Sequence, residues 1–319
     1  MKASIIGAAG FVGGELIRLL QNHPEIEKLT LQSNSQAGKH ISEIHSDLYD
    51  SNLQFQADFD KESEVIFICR GHGQTAPFLE KNKISAATVI IDMSSDFRLE
   101  SEKHDFVYAL PEWQRDRIKT ANRIANCGCF ATAIQLAILP LAKAGLLKKS
   151  LHINGMTGST GAGFAKSDTT HFSWRNNNIS LYKAFNHQHL NEVKQLVNAF
   201  IPNYKSDINF IPMRGNFTRG ILVSAYTETD ATFEEIKAIY TAAYASEPFT
   251  QITEKNIHLK QVVNTNNCLL QIEKYDNKVL ITSVIDNLLK GAAGQAVQNM
   301  NIRFGFNERT GLNLKSSAF

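Results

Sequence analysis

The chain has 319 residues, 43% of them hydrophobic and 20% charged, with a net charge of +2. That composition builds a packed core, excludes a disordered chain, and suits two domains or one large α/β unit. The balanced charge leaves no footprint for nucleic acid, no apolar stretch reaches membrane-spanning length, and no signal peptide opens the chain, so neither nucleic acid nor membrane is expected as a partner. Cys69, Cys127, Cys129 and Cys268 are too few and too irregular for a disulfide scaffold, and a reducing cytoplasm is the expected location.

In chain order, Lys2 to Ile6 reads as a short strand, followed by Gly7-Ala8-Ala9-Gly10-Phe11-Val12-Gly13-Gly14 and an amphipathic helix from Glu15 to about Asn22. A strand, a glycine turn and a helix in that order open a dinucleotide-binding unit. The glycines allow a tight turn and let the backbone approach a pyrophosphate lying on the helix N-terminus. Gly7, Ala9, Gly10, Phe11, Val12 and Gly13 are therefore the candidate cofactor loop. The second strand, Glu27 to Gln32, runs out into Ser33-Asn34-Ser35 with no acidic residue to hold ribose hydroxyls. Ser33 and Ser35, with Lys39 nearby, suit a 2′-phosphate, and NADP is favoured over NAD. The apolar runs Val65 to Cys69 and Thr88 to Asp92 fit parallel strands covered on both faces.

Cys129 follows in Asn126-Cys127-Gly128-Cys129-Phe130, just ahead of an apolar helix expected from Ala131 to Leu139 and stopped near Pro140. A thiol in the first turn of a helix faces unpaired N–H groups and the positive end of the dipole, which favour the thiolate nucleophile. A buried core cysteine is the ordinary alternative. Beyond Pro140 the segments alternate more: 151–156, 208–211, 220–226 and 278–284 suggest a mixed or antiparallel sheet. The loop Thr157 to Gly163 is a second glycine-rich turn suited to lining a ligand. His187 and His189 are candidate acid/base partners for Cys129, with Glu192 three residues on as an orienting carboxylate. Cys127, Cys129, His187 and His189 also form a zinc-like ligand set, but Cys-x-Cys and His-x-His are too tightly spaced to wrap a tetrahedral ion, and no metal is expected. Asp286 to Gln295 leads into a final helix from Ala296 to Phe304.

Taken together, these motifs resemble the N-acetyl-γ-glutamyl-phosphate reductases, NADP-dependent acyl-phosphate reductases of arginine biosynthesis related to aspartate-semialdehyde dehydrogenases. The resemblance runs nearly the length of the chain. It is carried by Gly7 to Gly13, by Ile91-Asp92-Met93-Ser94-Ser95-Asp96-Phe97-Arg98 and by Tyr108-Ala109-Leu110-Pro111-Glu112. It continues through Ala125 to Phe130, Gly158 to Gly163, His187-Gln188-His189 and Asp286 to Gln298. Cys127 stands where the family has proline, and Gln188 and Leu190-Asn191 replace an arginine and a Thr-Pro pair, so an N-succinyl substrate stays open beside the N-acetyl one.

The fold the resemblance implies is α/β: a Rossmann-type doubly wound parallel sheet plus a second α+β catalytic and oligomerisation domain. The boundaries expected are 1–128 for the NADP domain, 129–285 for the catalytic domain and 286–319 for a segment returning to the first. It implies Cys129 as nucleophile and His189, or His187, as acid/base. Arg98 becomes a phosphate ligand, and Arg214 or Arg219 the ligand of the substrate α-carboxylate, with Tyr182 as a further substrate contact. Ser159, Gly161, Ala162, Gly163, Asn287 and Gln295 would lie along NADP, with Lys290 in the same closing segment. The partners implied are a small-molecule acyl phosphate and other copies of the chain, as a homodimer or homotetramer. The rivals are an aspartyl-phosphate reductase and a non-catalytic NADP-binding redox sensor switched by Cys127 and Cys129.

Overall fold

A computed structural model describes residues 1–318, which fall into two compact units. The first comprises Met1–Cys127 and Ala292–Asn313; the second comprises Gly128–Gly291 and the residues from Leu314 on.

The first unit is built on β1 (Lys2–Ile6), α1 (Phe11–Leu20), β2 (Lys28–Gln32), β3 (Phe55–Gln56), β4 (Val65–Ile68), α2 (Thr75–Lys81), β5 (Val89–Asp92), β6 (Val107–Ala109), α3 (Pro111–Ile118) and β7 (Arg123–Asn126). Its seven strands are ordered β3-β2-β1-β4-β5-β7-β6, and every pairing is parallel. All residues of β4 and β5 are buried, as strands covered on both faces require. The chain runs outward through β1, β2 and β3 and then returns to β4, which puts the switch of direction between β1 and β4. In open α/β sheets ligands bind at that point, beyond the carboxyl ends of the strands. The first helix starts at Phe11 and not at Glu15, because Gly10 already has the extended backbone of a cap and the helix begins directly after it.

The second unit contains α4 (Cys129–Lys143), β8 (Leu151–Thr157), α5 (Phe172–Arg175), β9 (Ser180–Leu181), α6 (His189–Phe200), β10 (Ile208–Arg214), β11 (Ile221–Glu228), α7 (Phe233–Tyr244), β12 (Thr250–Ile252), β13 (Cys268–Tyr275) and β14 (Lys278–Ile285). Its sheet, ordered β12-β13-β14-β11-β8-β10-β9, is mixed: β8–β10 and β12–β13 are parallel and the remaining pairs antiparallel. Alternation along β8, β10 and β11 buries Leu151, Ile153, Phe210, Val223 and Ala225 under α4 and its neighbours, while on the opposite face Ile257, Val262 and the short helical turn Leu259–Gln261 pack against Leu222, Leu269 and Val284.

Pro140 does not end α4, contrary to the sequence expectation; the helix runs through it to Lys143. A proline in a helix interior leaves the carbonyl one turn back without its N–H donor. Here that carbonyl, on Leu136, accepts the Tyr244 hydroxyl at 2.6 Å, and the next, on Ala137, accepts the Tyr240 hydroxyl. Side chains of α7 thus replace the missing backbone bond, and burial of every residue from Phe130 to Ala142 holds the helix in place.

The last helix, α8 (Ala293–Phe304), returns to the first unit and packs on α1 and α3. The return falls at Ala292 and not at Asp286, since Asp286 to Gly291 is anchored in the second unit. Asp286 accepts Arg219, the Asn264 N–H and the N–H groups of Leu288 and Leu289.

Candidate active site and cofactor loop

Gly128 caps α4 with φ −69° and ψ 146°, and Cys129 is the first residue of the helix. The turn before Cys129 is held from outside. The buried Glu192 carboxylate accepts the Gly128 N–H through Oε2 at 2.8 Å, and its Oε1 lies 3.9 Å from His189 Nε2. His189 opens α6, so the first turns of two helices, each with its positive dipole end, converge on the same backbone. A methyl group on Gly128 would sit 2.5 Å from His189 Nε2, which explains why no larger residue fits there. Gln135, fully buried, donates to the Glu192 carbonyl at 2.9 Å and ties α4 to α6. On the other side, a methyl group on Gly291 would meet Cys129 Cβ at 2.8 Å. Gly291 therefore passes directly over Cys129.

His187 stands behind His189. Its Nδ1 accepts the His189 N–H at 3.2 Å, and its ring packs among Phe130, Phe210 and Tyr182, with centroids 5.6 to 5.8 Å away. Burial, reinforced by Lys183 and Arg214, pushes its pKa down to about 4, so it is neutral and its proton is on Nε2. Burial and the nearby Cys129 push the Tyr182 phenol up to about 12, against the pull of Arg214, whose guanidinium lies 4.7 Å over the ring. Arg214 Nε is buried without a hydrogen-bond partner among the described residues. A buried donor left in this way beside Tyr182 suits an anionic ligand.

The other substrate candidates are already engaged. Arg219 forms a two-pronged pair with buried Asp286, at 3.1 and 3.2 Å, which supports the loop over Cys129. Arg98, in the first unit and 5% exposed, donates to the carbonyls of Asn126 and Met93, both at 2.9 Å, and ties together the ends of β7 and β5. Ser159 to Ala162 form a short turn, with Gly163 at φ +83° beyond it. Asn287 fastens that turn: its amide donates to Thr160 at 3.0 Å while its oxygen accepts the Gly220 N–H at 2.7 Å. Asn287, at 2% exposure, and Gln295, at 0%, are both buried. Lys290 is likewise buried, with its ammonium 5.9 Å over the Phe249 ring.

The dinucleotide loop fits its cofactor. Gly7 turns at φ +79°, and a methyl group there would strike the Cys69 carbonyl at 2.8 Å, across the crevice between β1 and β4. Gly13 packs on Ala8 with no room for a side chain, whereas Gly10 faces open space, where a methyl group would find its nearest neighbour 3.6 Å away. That is the division of labour expected of a turn glycine, a packing glycine and one left for a pyrophosphate. Beyond β2, Ser35 and Lys39 are exposed, while Ser33 is buried and bonded through its N–H to Gln56. With no carboxylate at this strand end, the surface matches a 2′-phosphate. Among the described residues no group of three or more His, Cys, Asp or Glu side chains is placed to hold a metal, and no helix is long and apolar enough to cross a membrane.

Comparison with known proteins agrees with this anatomy. Residues 2–121 match the semialdehyde dehydrogenase NAD-binding domain, and residues 129–287 the semialdehyde dehydrogenase dimerisation domain. Full-length relatives named N-acetyl-γ-glutamyl-phosphate reductase are 53% identical in Christiangramia forsetii, 52% in Parabacteroides distasonis and 50% in Flavobacterium johnsoniae, each covering 100% of both chains. The chain belongs to the N-acetyl-γ-glutamyl-phosphate reductase family. More distant solved structures share the fold of these reductases. Aspartate semialdehyde dehydrogenase II of Vibrio cholerae superposes with a TM-score of 0.73 at 18% identity, covering 95% of this chain and 98% of that one. The Candida albicans aspartate semialdehyde dehydrogenase, crystallised with NADP, gives 0.67 at 15% identity over 94% and 97%.

Two supports of the Cys129 cluster carry little signal in the sequence. Gln135 sits in an apolar helix, where only its polarity at a core position marks it out. Gly291 is visible inside a motif, but its contact with Cys129 spans 162 residues of chain and leaves no local signal.

Proposed function

We propose that the protein reduces N-acetyl-γ-glutamyl phosphate to N-acetylglutamate 5-semialdehyde with release of phosphate, using NADPH, in arginine biosynthesis. The observation that carries the mechanism is Cys129 at the start of α4, with His189 and Glu192 gathered on the backbone of Gly128. His189 takes the thiol proton, and the Cys129 thiolate attacks the γ-carbonyl carbon. The bond from that carbon to the phosphate oxygen breaks, phosphate leaves with the bonding pair, and the acyl group stays on sulfur as a thioester. NADPH, when bound, supplies the hydride that reduces it. The resulting tetrahedral oxyanion is held by first-turn N–H groups of α4 other than that of Gly128, which Glu192 already occupies. Collapse of that centre breaks the carbon–sulfur bond, frees the aldehyde and returns the thiolate, which recovers its proton from His189.

Arg214 is the residue we assign to a substrate carboxylate, because its buried Nε lacks a partner while Arg219 is paired with Asp286. The outward face of β8 and β10 and the adjoining end of β11, away from α4, is assigned to a second copy of the chain. His152, Met156, Ile211, Met213 and Tyr226 lie along it, and the domain family matched there is one of dimerisation domains.

The test is phosphate-dependent reduction of NADP with N-acetyl- or N-succinylglutamate semialdehyde. Activity that needs phosphate and disappears in Cys129→Ala supports the reading, and the preferred aldehyde fixes the acyl group. Tight NADPH binding with neither aldehyde consumed would replace it with the redox-sensor reading. Arg214→Gln is expected to raise the aldehyde KM by about tenfold or more, the loss of one charge-assisted hydrogen bond, with kcat nearly unchanged. An unchanged KM would remove Arg214 from the site.

A further inference from the structure

Between β2 and β3 the chain leaves the sheet for more than twenty residues, and the middle of that excursion comes back under the dinucleotide loop. His45 Nε2 lies 3.1 Å from the Ala8 carbonyl, in the turn that follows β1. The ring is 8% exposed and so close beneath α1 that a methyl group on Gly14 would sit 2.6 Å from its Cε1. Gly14 lies outside the three-glycine spacing that the cofactor needs; His45 is what requires a glycine there. The ring is tilted against Phe55 at a centroid distance of 6.1 Å. Two residues on, Asp47 pairs with Arg18 of α1 through bonds of 2.8 and 2.6 Å. The excursion thus grips both the loop and the first helix, while its other end carries Ser35 and Lys39.

We propose that His45 is a positioning residue for the cofactor: it fixes the Ala8 peptide, and with it the glycine turn, relative to the segment that reads the 2′-phosphate. The inference rests on the NADP reading of the loop. The groups facing the ring from the packed elements are Arg18, Glu15 and Asp47, together with the Ala8 carbonyl. A carbonyl can only accept, so Nε2 carries the proton and donates. Fixing the Ala8 carbonyl fixes the orientation of the peptide it shares with Ala9, and hence the direction of an N–H in the turn meant for the pyrophosphate. A loop that must be ordered on binding pays that ordering out of cofactor affinity, whereas a loop already braced does not. His45 does not touch substrate or the reacting atoms, so its removal should weaken binding without slowing chemistry.

The test is NADPH titration, followed by the change in nicotinamide fluorescence, together with steady-state kinetics on the full chain. The variants are His45→Leu, which keeps bulk and loses the donor, and His45→Gln, whose amide nitrogen can reach the place of Nε2. Expected for His45→Leu is a rise of about tenfold in both the NADPH Kd and the NADP KM, the value of one hydrogen bond, with kcat at saturating cofactor within about twofold of the parent. His45→Gln should recover most of the affinity. Equal weakening in both variants would mean that ring shape alone matters and would overturn the proposal. So would unchanged affinity in His45→Leu, or a fall in kcat with KM unmoved. Thermal melts of both variants separate a local effect from loss of fold. If the parent protein itself does not bind NADPH, the cofactor reading fails first, and that result is distinct from all of these.

Discussion

Glu192 holds two things with one carboxylate, the Gly128 N–H at 2.8 Å and the neighbourhood of His189 Nε2 at 3.9 Å, and the two can be separated. Glu192→Gln keeps an oxygen for Gly128 and removes the charge beside the imidazole; Glu192→Ala removes both. His189→Asn is expected to lower kcat by about 10²- to 10⁴-fold, the range for a lost general acid/base. Glu192→Gln should fall between parent and His189→Asn, and Glu192→Ala should be slower than Glu192→Gln. Measured kcat values in which the two Glu192 variants are equal would remove the turn-holding role. His187 gives a second prediction. Its pKa of about 4 lies below the ordinary histidine value, so between pH 6.5 and 4 the unfolded chain binds a proton that the folded chain refuses. Its contribution to stability is present above pH 6.5 and is lost as pH falls through that window, by up to about 3 kcal/mol. Denaturant melts of His187→Gln should show a shallower acid decline than the parent; parallel curves would contradict it. These roles were only partly legible in the sequence. Cys129, Gly128 and the histidine pair carry local signals. Arg214 and Arg219 look alike in sequence, and only Asp286, 67 residues beyond Arg219, tells them apart by engaging one of them.

At the scale of the element, α4 shows how a local rule yields to a distant partner. Pro140 reads as a stop because nothing nearby in sequence can satisfy the Leu136 carbonyl, and the residue that does so, Tyr244, is 108 positions away. Tyr244→Phe should leave that buried carbonyl unsatisfied and cost about 1 to 3 kcal/mol. Pro140→Ala restores a backbone N–H at the same place, so it should recover much of the loss in the Tyr244→Phe background while helping far less alone. A double-mutant cycle by denaturant unfolding measures the coupling, and simple additivity of the two changes would refute the account. The glycine loops read more directly, since a turn at positive φ such as Gly7 restricts residue choice at the position itself. His45 did not, because its contact with Ala8 belongs to a segment with no regular pattern of its own.

For the whole molecule, the two sheets explain why the first half of the chain was easier to read than the second. A parallel sheet covered on both faces writes itself as continuous apolar runs, and β4 and β5 are such runs. The second sheet alternates, and alternation alone does not say what covers the outer face. Within the described residues that face holds Met156, Ile211, Met213 and Tyr226 beside His152, whose ring stacks on Tyr226 at 4.9 Å. Half-buried methionines and isoleucine on this stretch of sheet are more apolar than a freely solvated face needs to be. A second copy meeting this face would bury them. An arginine at the centre of such an interface would be desolvated without a partner, a cost large enough to dissociate a dimer. Ile211→Arg should therefore convert a dimer, measured by light scattering, into a monomer with unchanged far-ultraviolet circular dichroism. The parent's melting temperature should rise with protein concentration, and that of the variant should not. A variant that stays dimeric would place the contact elsewhere, and a parent that is monomeric at every concentration tested would overturn the assignment of this face to a second copy.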